Sequence, residues 1–368
     1  MIKNLKISNF RCFKSFDIQG FERVNLFGGK NNSGKTALLE GLYLGSTPSY
    51  KTIMRLRDNR GESLEFLKAI PEKAWNNLFF DKKEIGPKSE IILEYDDKIN
   101  NVEIVCNDSI EQLDEILSKD NGESNTMLTE DEFKKSTLNI SAYKNDKRVS
   151  GRSFSMTASS IGITVNSIGI IPKTLHISSS GEADFIPAFL RLSNSALAQE
   201  FDKCDLQGNV DEVLKIIQII DGSITQIKTL NIGEPAIYLK RETSKYLPIT
   251  LFGEAINRVV HFILKIINNN NSILLIDEIE NGIHYTNQSD LWEMLFKLSI
   301  EFNIQIFATT HSYEMIKSFS EVAHKAKENI GTYFEIARDI RTDQIVGIKR
   351  EIETLKYELS QKMELRGE

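Results

Sequence analysis

Cysteine is scarce in this sequence: Cys12, Cys106 and Cys204 are the three among 368 residues, and no two share a spacing that would hold zinc. Their scatter excludes a disulfide framework and suits a reducing, cytoplasmic setting. Long apolar runs are also missing. No stretch approaches the ~18 residues of a membrane span, and the N-terminus opens on an alternating strand pattern with no signal-peptide profile. Positive charge is not in excess either: the net charge of −7 argues against a basic nucleic-acid coat, although a local basic patch is compatible with an acidic total. Internal repeats and sustained heptads are absent, which excludes a solenoid and a long coiled-coil arm.

With 40% hydrophobic residues the chain can bury a substantial core. Its length exceeds what one core usually fills, so one large domain with an insertion, or two lobes, is expected. The acidity is concentrated. Between Cys106 and Lys135 nine Asp and Glu residues face three lysines, leaving the rest of the chain almost balanced. Asp120-Asn-Gly-Glu-Ser-Asn125 within that tract has loop composition, and a solubilising loop is expected over a lure for a basic partner.

Gly29-Lys-Asn-Asn-Ser-Gly-Lys-Thr36 satisfies G-x-x-x-x-G-K-[ST] at every fixed position. It follows the strand-like Arg23–Gly28 and leads into the helix-like Ala37–Leu44, which is the context a phosphate cradle needs. Gly29 and Gly34 let the backbone turn so that N–H groups from Asn31, Asn32 and Ser33 point inward, and the helix start adds partial positive charge. Lys35 is then placed to reach β- and γ-phosphates, and the Thr36 hydroxyl to hold Mg²⁺. ATP and Mg²⁺ are the expected cofactors.

Alternation over Ile2–Ile18 predicts two antiparallel strands with a bend near Asn9–Phe13. Arg11, in that bend, either reaches the nucleotide or is a solvated turn residue. Lys51–Phe80 reads as helical with a break at Pro71, and Ser89–Cys106 as a hairpin. Further strands are expected over Leu138–Ser155 and Ile161–Ile171. Helices are expected over Glu182–Asp202 and from Asn209 to Ile220, and a strand pair over Ile224–Ile232 and Ala236–Arg241. Ser272-Ile-Leu-Leu-Ile-Asp-Glu278 is a buried-strand run ending in two carboxylates, the Walker B arrangement. A strand beside the phosphate loop would let Asp277 hold Mg²⁺ and Glu278 orient the attacking water. Asn303–Thr310 forms another strand ending at His311, whose imidazole can hydrogen-bond the γ-phosphate or the water.

Ile2–Arg11, Gly29–Thr36, Leu274–His284 and Ala308–Ser312 together resemble the ABC-type ATPases of the RecF, SMC and overcoming-lysogenization-defect branch. More narrowly, they resemble the AAA-type ATP-binding proteins of bacterial antiphage systems, such as those of the PARIS type. The resemblance implies an α/β fold of the P-loop NTPase, ABC-ATPase type, with a mixed β-sheet core. It places that core at residues 1–50 and 233–368, with residues 51–232 as an inserted lobe. By the same resemblance, Leu251-Phe-Gly-Glu-Ala-Ile-Asn-Arg258 is the signature loop that contacts the γ-phosphate held by an opposite subunit, with Gly253 offering a close backbone N–H. The usual serine is replaced by Leu251 or Phe252, with Thr250 nearby, a departure that bears on turnover more than on pairing. No Q-loop glutamine stands out.

These readings lead to an ATPase, slow or fast, that forms a homodimer or higher homo-oligomer and controls a separate effector, a nuclease or toxin, in antiphage defence. No nuclease pattern follows the ATPase motifs, which is why the effector is expected on another chain. The alternative is a RecF-like repair ATPase that binds duplex DNA through a basic stripe. A transporter subunit, and a non-hydrolysing protein that uses ATP as structural glue, rank behind these two.

Overall fold

Apolar alternation over Ile2–Phe10 (β1) and Phe13–Gln19 (β2) does produce an antiparallel hairpin, with Phe10 paired to Phe13 across its bend. In the computed structural model, residues 1–80, 87–108, 136–148, 153–159, 162–167, 183–189, 192–242, 244–269, 272–326 and 330–361 are described. Most of the acidic tract, residues 109–135, lies outside them, as do both ends of the strand expected over Ile161–Ile171. The hairpin continues into a large antiparallel sheet. Lys88–Tyr95 (β4) adds along the free edge of β1, then come Ile99–Asp108 (β5), Ser136–Lys144 (β6), Phe154–Ser159 (β8) and Gly162–Ser167 (β9). A two-residue strand, Lys147–Arg148 (β7), pairs with β6.

Val24–Gly28 (β3) begins a second sheet, ordered Ala183–Ile186 (β10), Ile273–Ile276 (β14), Gln305–Thr309 (β15), β3, Gly331–Arg338 (β16) and Ile345–Arg350 (β17). All neighbours are parallel except β17, which closes the sheet as an antiparallel hairpin with β16. Its inner strands are buried on both faces, and alternate residues go to two different cores. Ile273, Leu275 and Phe307 face the antiparallel sheet, whereas Leu274, Ile276, Ile306 and Ala308 face a layer of helices.

Lys35–Ser46 (α1) lies between the two sheets, so eleven of its twelve residues are buried. Its glycines permit the fit: a Cβ on Gly41 would meet Ile7, and one on Gly45 would meet Ile91 and Leu93. Phe21 completes this interior with edge contacts to Phe27, Phe307 and Phe334. The sheets are also tied through Gln305, which accepts from Ile2 N and donates to Ile2 O, each at 2.8 Å. Tyr50–Asp58 (α2) and Leu64–Ala69 (α3) follow α1, with short 3₁₀ turns after Pro71.

The opposite face of the parallel sheet carries Asn194–Leu206 (α4), Val210–Ile220 (α5), Glu254–Asn268 (α6), Gln288–Glu301 (α7), Tyr313–Lys325 (α8) and Ile352–Ser360 (α9). A small sheet of Ile224–Ile232 (β11), Glu234–Arg241 (β12) and Leu247–Pro248 (β13) packs on α4. Leu355 and Leu359 of α9 sink into this core.

One expectation needs correcting. Glu182–Asp202 is not one helix. Ala183–Ile186 extends to occupy the edge beside β14, Phe189 is exposed, and the helix begins only at Asn194, where the Ser193 side chain accepts from Ala196 N. Segments of residues 51–232, expected as an inserted lobe, contribute strands to both sheets: β4 pairs along β1, and β10 joins the parallel sheet.

Candidate active site

The phosphate loop runs from the end of β3 into α1. Gly29 (φ +153°) has no room for a side chain, because a Cβ there would run into the Ile336 carbonyl oxygen. Gly34 (φ +98°) caps α1 in left-handed backbone, tight against Cys12 and Ile345. No side chain caps the helix and no acidic residue lies in its first turn, so its amide groups and partial positive charge remain available to an anion. Asn31 and Asn32 are exposed on the loop, and Asn32 is left-handed at φ +62°. Ser33 Oγ is buried without a hydrogen-bond partner. Lys35 Nζ donates to the carbonyls of Gly29 (2.7 Å) and Lys30 (2.8 Å). Burial pushes the Lys35 ammonium below its ordinary range, opposed by the charges of Glu280, Asp277 and Glu278.

Asp277 stands just beyond β14. Its carboxylate accepts from Thr36 Oγ1, at 3.0 Å to Oδ2 and 3.3 Å to Oδ1, so residues 241 positions apart in sequence meet as the two motifs require. The strand order differs from the simplest expectation. β15 lies between β14 and β3, and that insertion supplies a residue sequence reasoning missed. Thr309, fully buried at the end of β15, donates to Asp277 Oδ1 at 2.6 Å and accepts from Glu278 N at 2.9 Å. Burial pushes the Asp277 carboxyl above the usual carboxylate range, and the Thr309 and Thr36 hydroxyls pull it back.

Glu278 adopts left-handed backbone at φ +47°, a strained conformation for a residue with a Cβ. Several bonds hold it. Arg258 Nη2 donates to the carbonyls of Asp277 (2.9 Å) and Glu278 (2.8 Å), and Asn281 Nδ2 donates to Glu278 Oε2 at 2.9 Å. His311, at the far end of β15, is 4.0 Å from Glu278 but 3.0 Å from Glu280 Oε1, which also accepts its backbone N–H at 2.8 Å. Glu280 and Asn281 lie three and four residues past Asp277, and polar side chains so close behind a Walker B aspartate are the signal that could have found them.

Gly253 (φ +92°) leads into α6 with nothing within 4 Å of where a Cβ would stand, and the neighbouring Leu251 is 68% exposed. Arg258 from the same segment turns inward to the Asp277 and Glu278 carbonyls just beyond β14. Arg11 is neither a solvated turn residue nor a free cation: it is 9% exposed, its Nε pairs with Glu40 at 2.8 Å, and Nη1 donates to the Asn77 carbonyl. Its guanidinium is thus held in a buried ion pair beside the phosphate-loop helix. Arg60 clamps the same Glu40 through Nε (2.7 Å) and Nη2 (3.0 Å). Among the described residues there is no cluster of three or more His, Cys, Asp or Glu able to hold a metal ion, and no helix is long and apolar enough to cross a membrane.

Residues 24–317 match the family described as "AAA domain, putative AbiEii toxin, Type IV TA system". An "ATP/GTP phosphatase" of Helicobacter pylori (strain ATCC 700392 / 26695) is 24% identical over 358 residues, which span 89% of this chain and 91% of that protein. Among solved structures, an SMC head bound to the C-terminal winged-helix domain of ScpA aligns with TM-score 0.49 at 12% identity, covering 98% of this chain and 99% of that one. The SMC head domain from Thermotoga maritima aligns with TM-score 0.46 at 12% identity, covering 95% and 99%. The family match takes in the phosphate loop, Asp277, Glu278 and His311 in one span, and the chain belongs to this AAA-domain family as an ATPase of the α/β P-loop class.

Proposed function

We propose that this ATPase binds MgATP on Gly29–Thr36 and Asp277, hydrolyses it with Glu278 and His311, and couples the nucleotide state to pairing of two copies that hold or release a separate effector. The observation that carries the first part is the hydrogen bond between Thr36 Oγ1 and the Asp277 carboxylate. A hydroxyl and a carboxylate in contact are hard oxygen donors, and a two-ligand protein set suits Mg²⁺, which keeps several waters and shares phosphate oxygens. The cradle of Gly29, where a Cβ has no space, and the orphaned Ser33 Oγ fit a bound phosphate. Mg²⁺ held by Thr36 and Asp277 would neutralise charge on the β- and γ-phosphates.

The chain's own groups do the rest. Lys35 exchanges its loop carbonyls for phosphate oxygens, backbone N–H groups from Asn31 to Thr36 bind the anion, and Glu278 orients water for in-line attack. A single copy leaves Gly253 and Leu251 facing outward. A second copy that brings its own Gly253 segment to the γ-phosphate would complete each site, making the pair depend on ATP. The family's description, a putative toxin of a type IV toxin–antitoxin system, supports a partner on a separate chain, and the antiphage resemblance supports a nuclease or toxin effector and defence as the setting.

Glu278→Gln tests this reading, because it should bind MgATP and stall before hydrolysis. Light scattering is expected to show the variant shifting to a larger assembly with MgATP, and co-expression with neighbouring gene products should enrich one partner on it. A particle of constant size in every nucleotide state, with no partner retained, would overturn the assembly and effector parts.

A further inference from the structure

Resting on that reading of His311, we infer that Glu280 is a positioning residue that locks the His311 imidazole in its Nδ1–H form, so that Nε2 faces the reaction as an acceptor. In that state His311 takes a hydrogen bond from the attacking water and is unable to donate one to the γ-phosphate.

Glu280 Oε1 accepts the backbone N–H of His311 at 2.8 Å and lies 3.0 Å from Nδ1 of the same residue. A backbone N–H always donates, so Oε1 is an acceptor there, and a carboxylate oxygen beside an imidazole leaves the proton on the more basic nitrogen. Nδ1 therefore carries the hydrogen in the neutral ring. The side chain of Glu280 is only 9% exposed, and its other oxygen, Oε2, is buried without a hydrogen-bond partner. Oε1 is thus committed to one residue, through a hydrogen bond from its backbone and a close contact with its ring. Glu278 lies 4.0 Å from Nδ1, beyond hydrogen-bond reach, so it does not compete for this role.

The consequence is chemical. Neutral imidazole has one donor and one acceptor, and fixing the donor toward Glu280 makes Nε2 a lone pair. An unprotonated phosphate oxygen offers only lone pairs, so the neutral ring binds water and leaves phosphate to Lys35 and the loop amides. Free imidazole in a flexible side chain does not hold this form. The turn Glu280–His284 and the end of β15 do, because the backbone N–H of His311 and its ring converge on the same oxygen.

The tautomer is read directly by ¹⁵N–¹H correlation spectra of uniformly labelled full-length protein, above the ordinary histidine titration range. His311 is assigned by its disappearance in His311→Gln. Wild type is expected to show Nδ1–H, Glu280→Gln to keep it through the amide oxygen, and Glu280→Ala to move to Nε2–H. In steady-state ATPase assays Glu280→Ala should lose about tenfold or more in kcat with KM for ATP unchanged or lower, and Glu280→Gln should recover most of that loss. A wild-type Nε2–H signal, or a Glu280→Ala variant within about twofold of wild-type kcat, overturns the inference. If Glu280→Ala does not fold, the wild-type and Glu280→Gln spectra still decide it. Failure of wild type to bind a fluorescent ATP analogue with Mg²⁺ would instead remove the functional reading, leaving the tautomer measurement to stand alone.

Discussion

Replacing Thr309 by valine separates the hydrogen-bonding role of this residue from its packing role. The two side chains have nearly the same shape, so the fully buried end of β15 keeps its fit against β3 and β14. What is lost is one hydroxyl that both donates to Asp277 Oδ1 at 2.6 Å and accepts from Glu278 N at 2.9 Å. The first is a bond to a charged group, worth roughly 1.5–3 kcal/mol, and the second strands an amide in the interior at roughly 1–3 kcal/mol. Because both losses share one atom they do not simply add, and a net destabilisation of about 3 kcal/mol is expected. The loss at the site is larger in kind. Asp277 is left with Thr36 alone of its two hydroxyl partners, so its carboxylate is held less firmly, and the magnesium concentration for half-maximal ATPase should rise about 10–100-fold. Thr309→Ser keeps the hydroxyl and should stay near wild type in magnesium requirement while losing about 1 kcal/mol for the missing methyl. Urea denaturation and magnesium titration of ATPase activity measure both effects. A valine variant with unchanged stability and unchanged magnesium requirement would refute the reasoning that Thr309 sets the Asp277 carboxylate.

Helix α1 supplies a paired test: a Cβ at Gly41 meets only the mobile end of Ile7, whereas one at Gly45 meets Ile91 and Leu93 together. Thermal melts should find Gly41→Ala close to neutral and Gly45→Ala destabilised by about 1–2 kcal/mol, despite the helix propensity that alanine adds to both. Glu40 is 1% exposed and pairs with the buried Arg11 and the partly exposed Arg60, so Glu40→Ala leaves Arg11 with only the more distant Glu62 and should cost about 3 kcal/mol in urea denaturation. Burial, aided by the charges of Lys265 and Arg258, pushes His261 down to about 4. The unfolded chain therefore takes up this proton first: stability from the neutral ring is intact above about pH 6.5 and falls by about 3 kcal/mol as pH drops toward 4. His261→Gln should flatten that part of the stability–pH profile, and an identical acid slope in the variant would show that the group is not responsible.

Legibility in the sequence followed the range of the interactions. Gly29–Thr36 and Ser272–Glu278 carry their chemistry in contiguous residues, so the fold class and the two halves of the site were readable before any contact was known. Thr309 was not, since its role depends on β15 lying between β14 and β3, with Ile276 opposite Ala308. Arg11 misled because a charged residue in a bend reads as solvated, and its partner Glu40 arrives 29 residues later on the buried side of α1. Ala183–Ile186 is too short to show a period, and only the free edge of β14 makes it a strand. Glu280 was visible as a residue but not as a partner, because its bond to His311 spans 31 positions and two strand ends.

Calorimetric titration of ATP, with and without Mg²⁺, into wild type and Asp277→Asn tests the central claim most directly. Wild type is expected to bind ATP more tightly with Mg²⁺ than without it, and the variant to lose that difference while retaining its metal-free affinity through Lys35 and the loop. Wild-type binding that is indifferent to Mg²⁺, or an Asp277→Asn protein that keeps the full magnesium effect, would contradict a site in which Lys35, Thr36 and Asp277 share one nucleotide.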